Sequence, residues 1–125
     1  MRNSAGHVPD KKTLRKNNEF NAVYSRGRSK GGQYVVVLYK RNRFGFTRKA
    51  FVASKKVGNS VERNRARRLM RAAYRSIFEK IKEGYDIVFV ARNTIRGRCE
   101  AEVERSMTKS LKNAGLIHSE GNKLL

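Results

Sequence analysis

The chain predicts an α+β sandwich: a helix, two or more strands, a long helix, a strand and a last helix, with the helices on one side of a mostly antiparallel sheet. Two apolar runs and two helical periods carry that expectation. Residues 34–39 (Tyr-Val-Val-Val-Leu-Tyr) and 85–91 (Tyr-Asp-Ile-Val-Phe-Val-Ala) are short, β-branched and aromatic, as strands are. Within residues 59–82 and 101–114, apolar side chains recur every three to four positions, the period of a helix with one buried face. At 125 residues and 38% hydrophobic content the chain suits a single domain, residues 13–116, with one modest core. Residues 1–12 form a flexible basic arm before it, and residues 117–125 a polar tail after it.

In residues 13–26, Phe20, Val23 and Tyr24 fall at helical spacing with Leu14 upstream, and Gly27 stands where a C-cap would. The run 34–39 lies between Gly31-Gly32 and a Lys40-Arg41-Asn42-Arg43 cluster, and reads as a buried strand. Residues 50–54, with Phe51 and Val52, form a second strand, expected to pair with the first as a hairpin. Asn59 and Glu62 have the spacing of a capping box, Gly58 permits a tight entry turn, and helix formers continue to about Lys82. Gly84 ends that helix, and residues 85–91, the clearest strand, belong at the centre of the sheet. In the last helix Val103, Met107 and Leu111 recur every four residues before Gly115.

Charge narrows the function. Thirty Lys and Arg against ten Asp and Glu give +20 at neutral pH and a pI near 11.0, a self-repulsion that makes sense beside a polyanion. No run approaches the roughly twenty apolar residues that span a bilayer, so no membrane partner is expected. The start of the chain lacks the character of a secretory signal, and the expected compartment is the cytoplasm. Cys99 stands alone, which leaves no intramolecular disulfide and no cysteine-based zinc site.

The long helix sorts its side chains. Ala66, Leu69, Ala73 and Ile77 gather on one side, and Asn64, Arg67, Arg68, Arg71 and Arg75 on the other. Like charges at i, i+3 and i+4 each cost a few tenths of a kcal/mol, so such a face expects an anion to offset them. Guanidinium groups grip phosphate oxygens bidentately and release counterions. Lys55 and Lys56 precede the helix N-terminus, where backbone amides also attract phosphate. Phe20 and Tyr24, one turn apart, either pack as core or offer a stacking face to an unpaired base.

Catalytic groups are sparse. The histidines are His7 and His118, the aspartates Asp10 and Asp86, and no two-metal carboxylate cluster is visible. Glu100, Glu102 and Glu104 suit a helix N-terminus, where the macrodipole accounts for them. Asp86 reads as an edge-strand or helix-end carboxylate rather than a metal ligand. The polypeptide is therefore expected to hold no catalytic residue, no metal and no small-molecule substrate.

The string from Ser54 to Arg71, Ser-Lys-Lys-Val-Gly-Asn-Ser-Val-Glu-Arg-Asn-Arg-Ala-Arg-Arg-Leu-Met-Arg, resembles the signature of the bacterial ribonuclease P protein subunit. Similarity extends upstream through Leu14–Phe20 and Tyr24–Gly27, and downstream through Tyr85–Arg92. The resemblance implies an α-β-β-(β)-α-β-α fold like the second domain of ribosomal protein S5, with a left-handed βαβ crossover against the usual right-handed rule. It also implies a role beside the catalytic RNA of ribonuclease P, which removes the 5′ leader of precursor tRNA by hydrolysis that depends on Mg2+ held mainly by RNA phosphates. By that resemblance Lys55, Lys56, Arg63, Asn64, Arg65, Arg67, Arg68, Arg71 and Arg75 face the catalytic RNA. Phe20, Tyr24 and a strand residue near Val37 would line a cleft for the leader. The rival expectation is a ribosomal or RNA-chaperone-type protein that binds structured RNA, which composition alone does not separate from the first.

Overall fold

The structure is a computed structural model that describes residues 12–118; residues 1–11 of the expected arm, with His7, and most of the tail lie outside them. Three helices and four strands follow one another as α1 (Asn17–Arg26), β1 (Arg28–Lys30), β2 (Val35–Arg41), β3 (Arg48–Val52), α2 (Ser60–Ile77), β4 (Tyr85–Ala91) and α3 (Glu100–Asn113). Short 3-10 turns at Phe78–Lys80 and Asn93–Ile95 extend α2 and link β4 to α3.

The strands lie in the order β1-β2-β4-β3. β4 is central, as its apolar run predicts, but the expected hairpin between β2 and β3 does not form. β2 runs antiparallel to β4 with Val37 opposite Phe89, and β3 runs parallel to β4 with Phe51 opposite Phe89. The passage β3-α2-β4 is thus a crossover between adjacent parallel strands. β4 is buried on both faces, and it takes the central place that an edge pairing would waste. β1, the optional strand of the expected fold, is short and exposed and completes the other edge.

Helices cover both faces of the sheet, not one. On the first face Val35, Val37, Ile87 and Phe89 meet Met70, Ala73 and Ile77 of α2 and Val103, Met107 and Leu111 of α3. Each such aliphatic side chain contributes roughly 1.5–3 kcal/mol on burial. On the second face Val23 of α1 and Leu14 pack on Ala50 and Val88, with Phe20, Leu38, Val52 and Val90 partly covered around them. Asp86 departs from expectation too: it lies on the central strand, 5% exposed, held by a side chain from its neighbour.

α2 begins at a full capping box. The Glu62 amide donates to Asn59 Oδ1 at 2.9 Å and the Asn59 amide to Glu62 Oε1 at 2.9 Å. Gly58 enters it at φ 145°, a left-handed conformation in which a Cβ would also fall 1.9 Å from Glu62 Oε1. The helix ends at Ile77 rather than near Lys82. Its buried stripe is Ala66, Met70, Ala73 and Ile77; Met70 takes the inner place, and Leu69 lies partly covered at the border. Gly27 caps α1 with ordinary dihedrals, so space rather than φ demands glycine there. A Cβ would sit 2.4 Å from the Val23 carbonyl oxygen and 2.6 Å from that of Tyr39.

Candidate nucleic-acid interface

With α2 pinned by its apolar stripe, its opposite side faces solvent. Arg65, Arg68, Arg71 and Arg75 are exposed, as are Asn64, Lys55 and Lys56, while Arg63 and Arg67 are half-buried. Among the described residues none of Arg67, Arg68, Arg71 and Arg75 pairs with a carboxylate; the ion pairs go instead to Arg48, Arg96 and Arg98. Their mutual repulsion is therefore left for an external anion to relieve.

The remaining members of the motif do structural tasks as well. Arg63 donates to the Gly58 carbonyl at 3.0 Å and to Ser60 Oγ at 3.3 Å, which fastens the helix entry turn. Arg65 reaches the Arg98 carbonyl at 3.1 Å and ties α2 to the loop before α3. Asn64 accepts from the Arg67 guanidinium, and this orients Arg67 along the helix surface. Lys55 and Lys56 precede Val57, which is fully buried and so anchors the turn from which both lysines project.

The second face offers an aromatic ledge. The rings of Phe20 and Tyr24 stack with centroids 6.4 Å apart and planes 21° from parallel. Tyr24 is 49% exposed, and the covered part of its ring pushes its phenol pKa up. Beside the ledge, Leu38, Val52 and Val90 form an apolar floor that α1 only partly covers. Val37 does not belong to it. Its side chain is 0% exposed and points to the α2 and α3 face, because alternate residues of a strand point to opposite faces; Val36 and Leu38 are the neighbours on the ledge side.

The ledge is held in register by a charge cluster that the sequence did not reveal. Arg48 of β3 makes a bidentate pair with Asp86, Nε to Oδ1 at 2.8 Å and Nη2 to Oδ2 at 2.7 Å, and Nη1 reaches Glu19 Oε2 of α1 at 2.8 Å. The Asp86 hydrogen bonds, followed by the charges of Asp86 and Glu19, raise the Arg48 pKa. Glu19 Oε1 accepts from the amides of Arg15 and Lys16 at 2.8 and 2.9 Å. Those backbone bonds, then the Arg48 charge, hold its carboxyl below the usual range. One carboxylate thus caps α1 and clamps it to the sheet. Glu102 acts similarly at α3: the Cys99 amide and then Arg98 lower its pKa. Among the described residues no group of three or more His, Cys, Asp and Glu side chains could hold a metal ion, and no helix is long and apolar enough to cross a membrane.

Known proteins share this arrangement. The Ribonuclease P family model matches residues 8–115. The ribonuclease P protein component of Alkaliphilus oremlandii is 42% identical over 106 residues, which cover 85% of this chain and 93% of that relative. Its counterpart in Clostridium novyi is 46% identical over 107 residues, covering 84% and 95%. Among solved structures, the RNase P protein of Staphylococcus aureus superimposes with a TM-score of 0.78 at 26% identity, over 87% of this chain and all of that one. The RNase P protein of Thermotoga maritima gives 0.73 at 27% identity, over 81% and 96%. A basic helix free of carboxylate partners, a central strand buried on both faces and a match along nearly the whole domain agree: this chain belongs to the ribonuclease P protein family.

Proposed function

We propose that this chain is the protein subunit of a ribonuclease P ribonucleoprotein, in which a catalytic RNA removes the 5′ leader of precursor tRNA in the cytoplasm. The exposed arginines of α2, free of carboxylate partners, support that reading most directly. On it, Arg67, Arg68, Arg71 and Arg75 with Lys55 and Lys56 grip phosphates of the catalytic RNA, each contact releasing counterions. Arg63, Asn64 and Arg65 join them from the first turns of the helix. Screening those phosphates lets Mg2+ bind the RNA at lower concentration. On this reading the magnesium rests on RNA phosphates, while Glu19, Asp86 and Glu102 serve arginines and helix caps. The chain itself makes and breaks no bond.

The leader lies across the ledge of Phe20 and Tyr24 above the Leu38, Val52 and Val90 floor. One base stacked on an aromatic ring contributes about 1–3 kcal/mol, enough for roughly fivefold to a hundredfold preference for precursor over mature tRNA. The test is leader removal by ribonuclease P RNA at low magnesium and moderate salt, alone and with this protein. The protein is expected to accelerate cleavage and to lower KM for the precursor; equal rates in the two reactions would end the proposal.

A further inference from the structure

Away from the α2 face and the ledge, a polar recess of about 250 Å³ opens between α3 and the Gly31-Gly32 turn that follows β1. Two serines one helical turn apart, Ser106 and Ser110, form its wall and are 8% and 1% exposed. Their hydroxyls face Gly32, where a Cβ would fall 2.5 Å from Ser110 Oγ and 3.1 Å from Ser106 Oγ. A side chain at that position would cover both hydroxyls, and glycine leaves them open. Ser106 Oγ accepts from the Tyr34 amide at 3.2 Å and keeps its own proton to donate. Ser110 Oγ has no hydrogen-bond partner among the described residues. A buried hydroxyl without a partner is costly, so it marks a place where a group from outside supplies one.

The rim shows the charge of that group. Arg105 and Lys109 are exposed on the same flank of α3, and neither pairs with a carboxylate among the described residues. Glu102, the acid in the lining, is already taken up by Arg98 at 3.2 Å and by the Cys99 amide at 3.0 Å. A water molecule would satisfy Ser110 and leave both cations unmatched. A carboxylate offers two coplanar oxygens, whereas a phosphate spreads its oxygens tetrahedrally and meets hydroxyls from the wall and cations from the rim together. The volume falls below the roughly 300–1,000 Å³ of pockets that enclose whole small molecules, so the entering group belongs to a larger body outside. The edge strand points to a polyanion: Arg28 and Lys30 are exposed along β1, and at its far end Arg26 and Arg28 line a further cleft, neither with a carboxylate partner among the described residues.

We propose that this recess holds one backbone phosphate of an RNA strand, with Ser106 and Ser110 donating to its oxygens and Arg105 and Lys109 neutralising it, while the strand follows β1 past Lys30 toward Arg28. The site rests on the proposed RNA binding of the chain, and on none of the residues assigned to the α2 face or to the ledge.

The test uses the full chain labelled with 15N and titrated separately with inorganic phosphate and with hexauridylate, amide shifts being followed by NMR. The Gly31, Gly32 and Ser110 amides are expected to move with both, and at lower concentration with hexauridylate. Ser110→Ala is expected to raise the hexauridylate midpoint at those amides about tenfold. Arg105→Ala with Lys109→Ala is expected to flatten the slope of log affinity against log salt there by about 1 unit. Both variants keep α3, because alanine is the strongest helix former and the two cations are exposed. Shifts confined to the α2 face and the ledge would overturn this site and leave the proposed RNA binding standing. A response at the recess to inorganic phosphate alone, or wild-type midpoints and slope in the variants, would overturn its assignment to RNA. No response of any amide to hexauridylate would overturn both.

Discussion

Arg48→Met removes the centre of the charge cluster that fastens α1 to the sheet, and its cost can be worked from the geometry. The side chains involved are largely withdrawn from water: Arg48 is 14% exposed, Asp86 7% and Glu19 20%. Removing one partner of a buried pair costs about 3–5 kcal/mol, because the other charge stays behind without compensation. Here Asp86 keeps the Asn42 amide at 2.9 Å, and Glu19 keeps two backbone N–H donors. Those remaining bonds place the expected loss at about 2–4 kcal/mol. With a urea slope of roughly 1–2 kcal/mol per M, the unfolding midpoint falls by about 1–4 M. Urea titration followed by circular dichroism and tyrosine fluorescence measures it. Neutralising the stranded carboxylate in Arg48→Met/Asp86→Asn should recover part of the loss, since the double variant leaves no buried unpaired charge on β4. A single-variant loss under about 1 kcal/mol, or a double variant no more stable than Arg48→Met, would refute the view that this cluster clamps α1.

Four other outcomes are expected. Arg67→Ala with Arg71→Ala should flatten the slope of log affinity for RNA against log salt by about 1–2 units while thermal unfolding barely moves; an unchanged slope counts against the basic face. Glu19 titrates below the ordinary carboxylate range in the folded chain, so its contribution is present above the unfolded-state pKa and is lost as pH falls through the folded one. Stability should therefore decline below about pH 5, and a series of urea titrations on Glu19→Gln should show a shallower acid limb. Gly27→Ala drives a methyl group against two backbone oxygens that cannot move independently, and should cost about 1–3 kcal/mol in thermal unfolding. Tyr24→Ala should raise KM for precursor tRNA in the holoenzyme while the affinity for mature tRNA stays as it was, because mature tRNA has no leader to stack.

Much of the candidate interface was legible in one dimension because the helix of residues 60–77 encodes it locally. Its period, its capping box and its opposed apolar and basic faces all follow from neighbours within four positions, and the structure keeps each of them apart from the exchange of Leu69 for Met70 on the buried stripe. Val37 was misplaced for a definable reason. Residues 34–39 are apolar without a break because both faces of β2 are covered, so the alternation that would tell inward from outward is erased.

The local order of residues determined the helices, the strand runs and the identity of the exposed basic face, since backbone period, capping and like-charge repulsion act over a turn or two. The tertiary structure alone decided which strands are neighbours, which face of β2 the Phe20 and Tyr24 ledge shares, and how Arg48 joins Glu19 to Asp86 across 29 and 38 positions of chain. Those contacts form only when distant segments meet around β4, and no short-range pattern records which partner each will find.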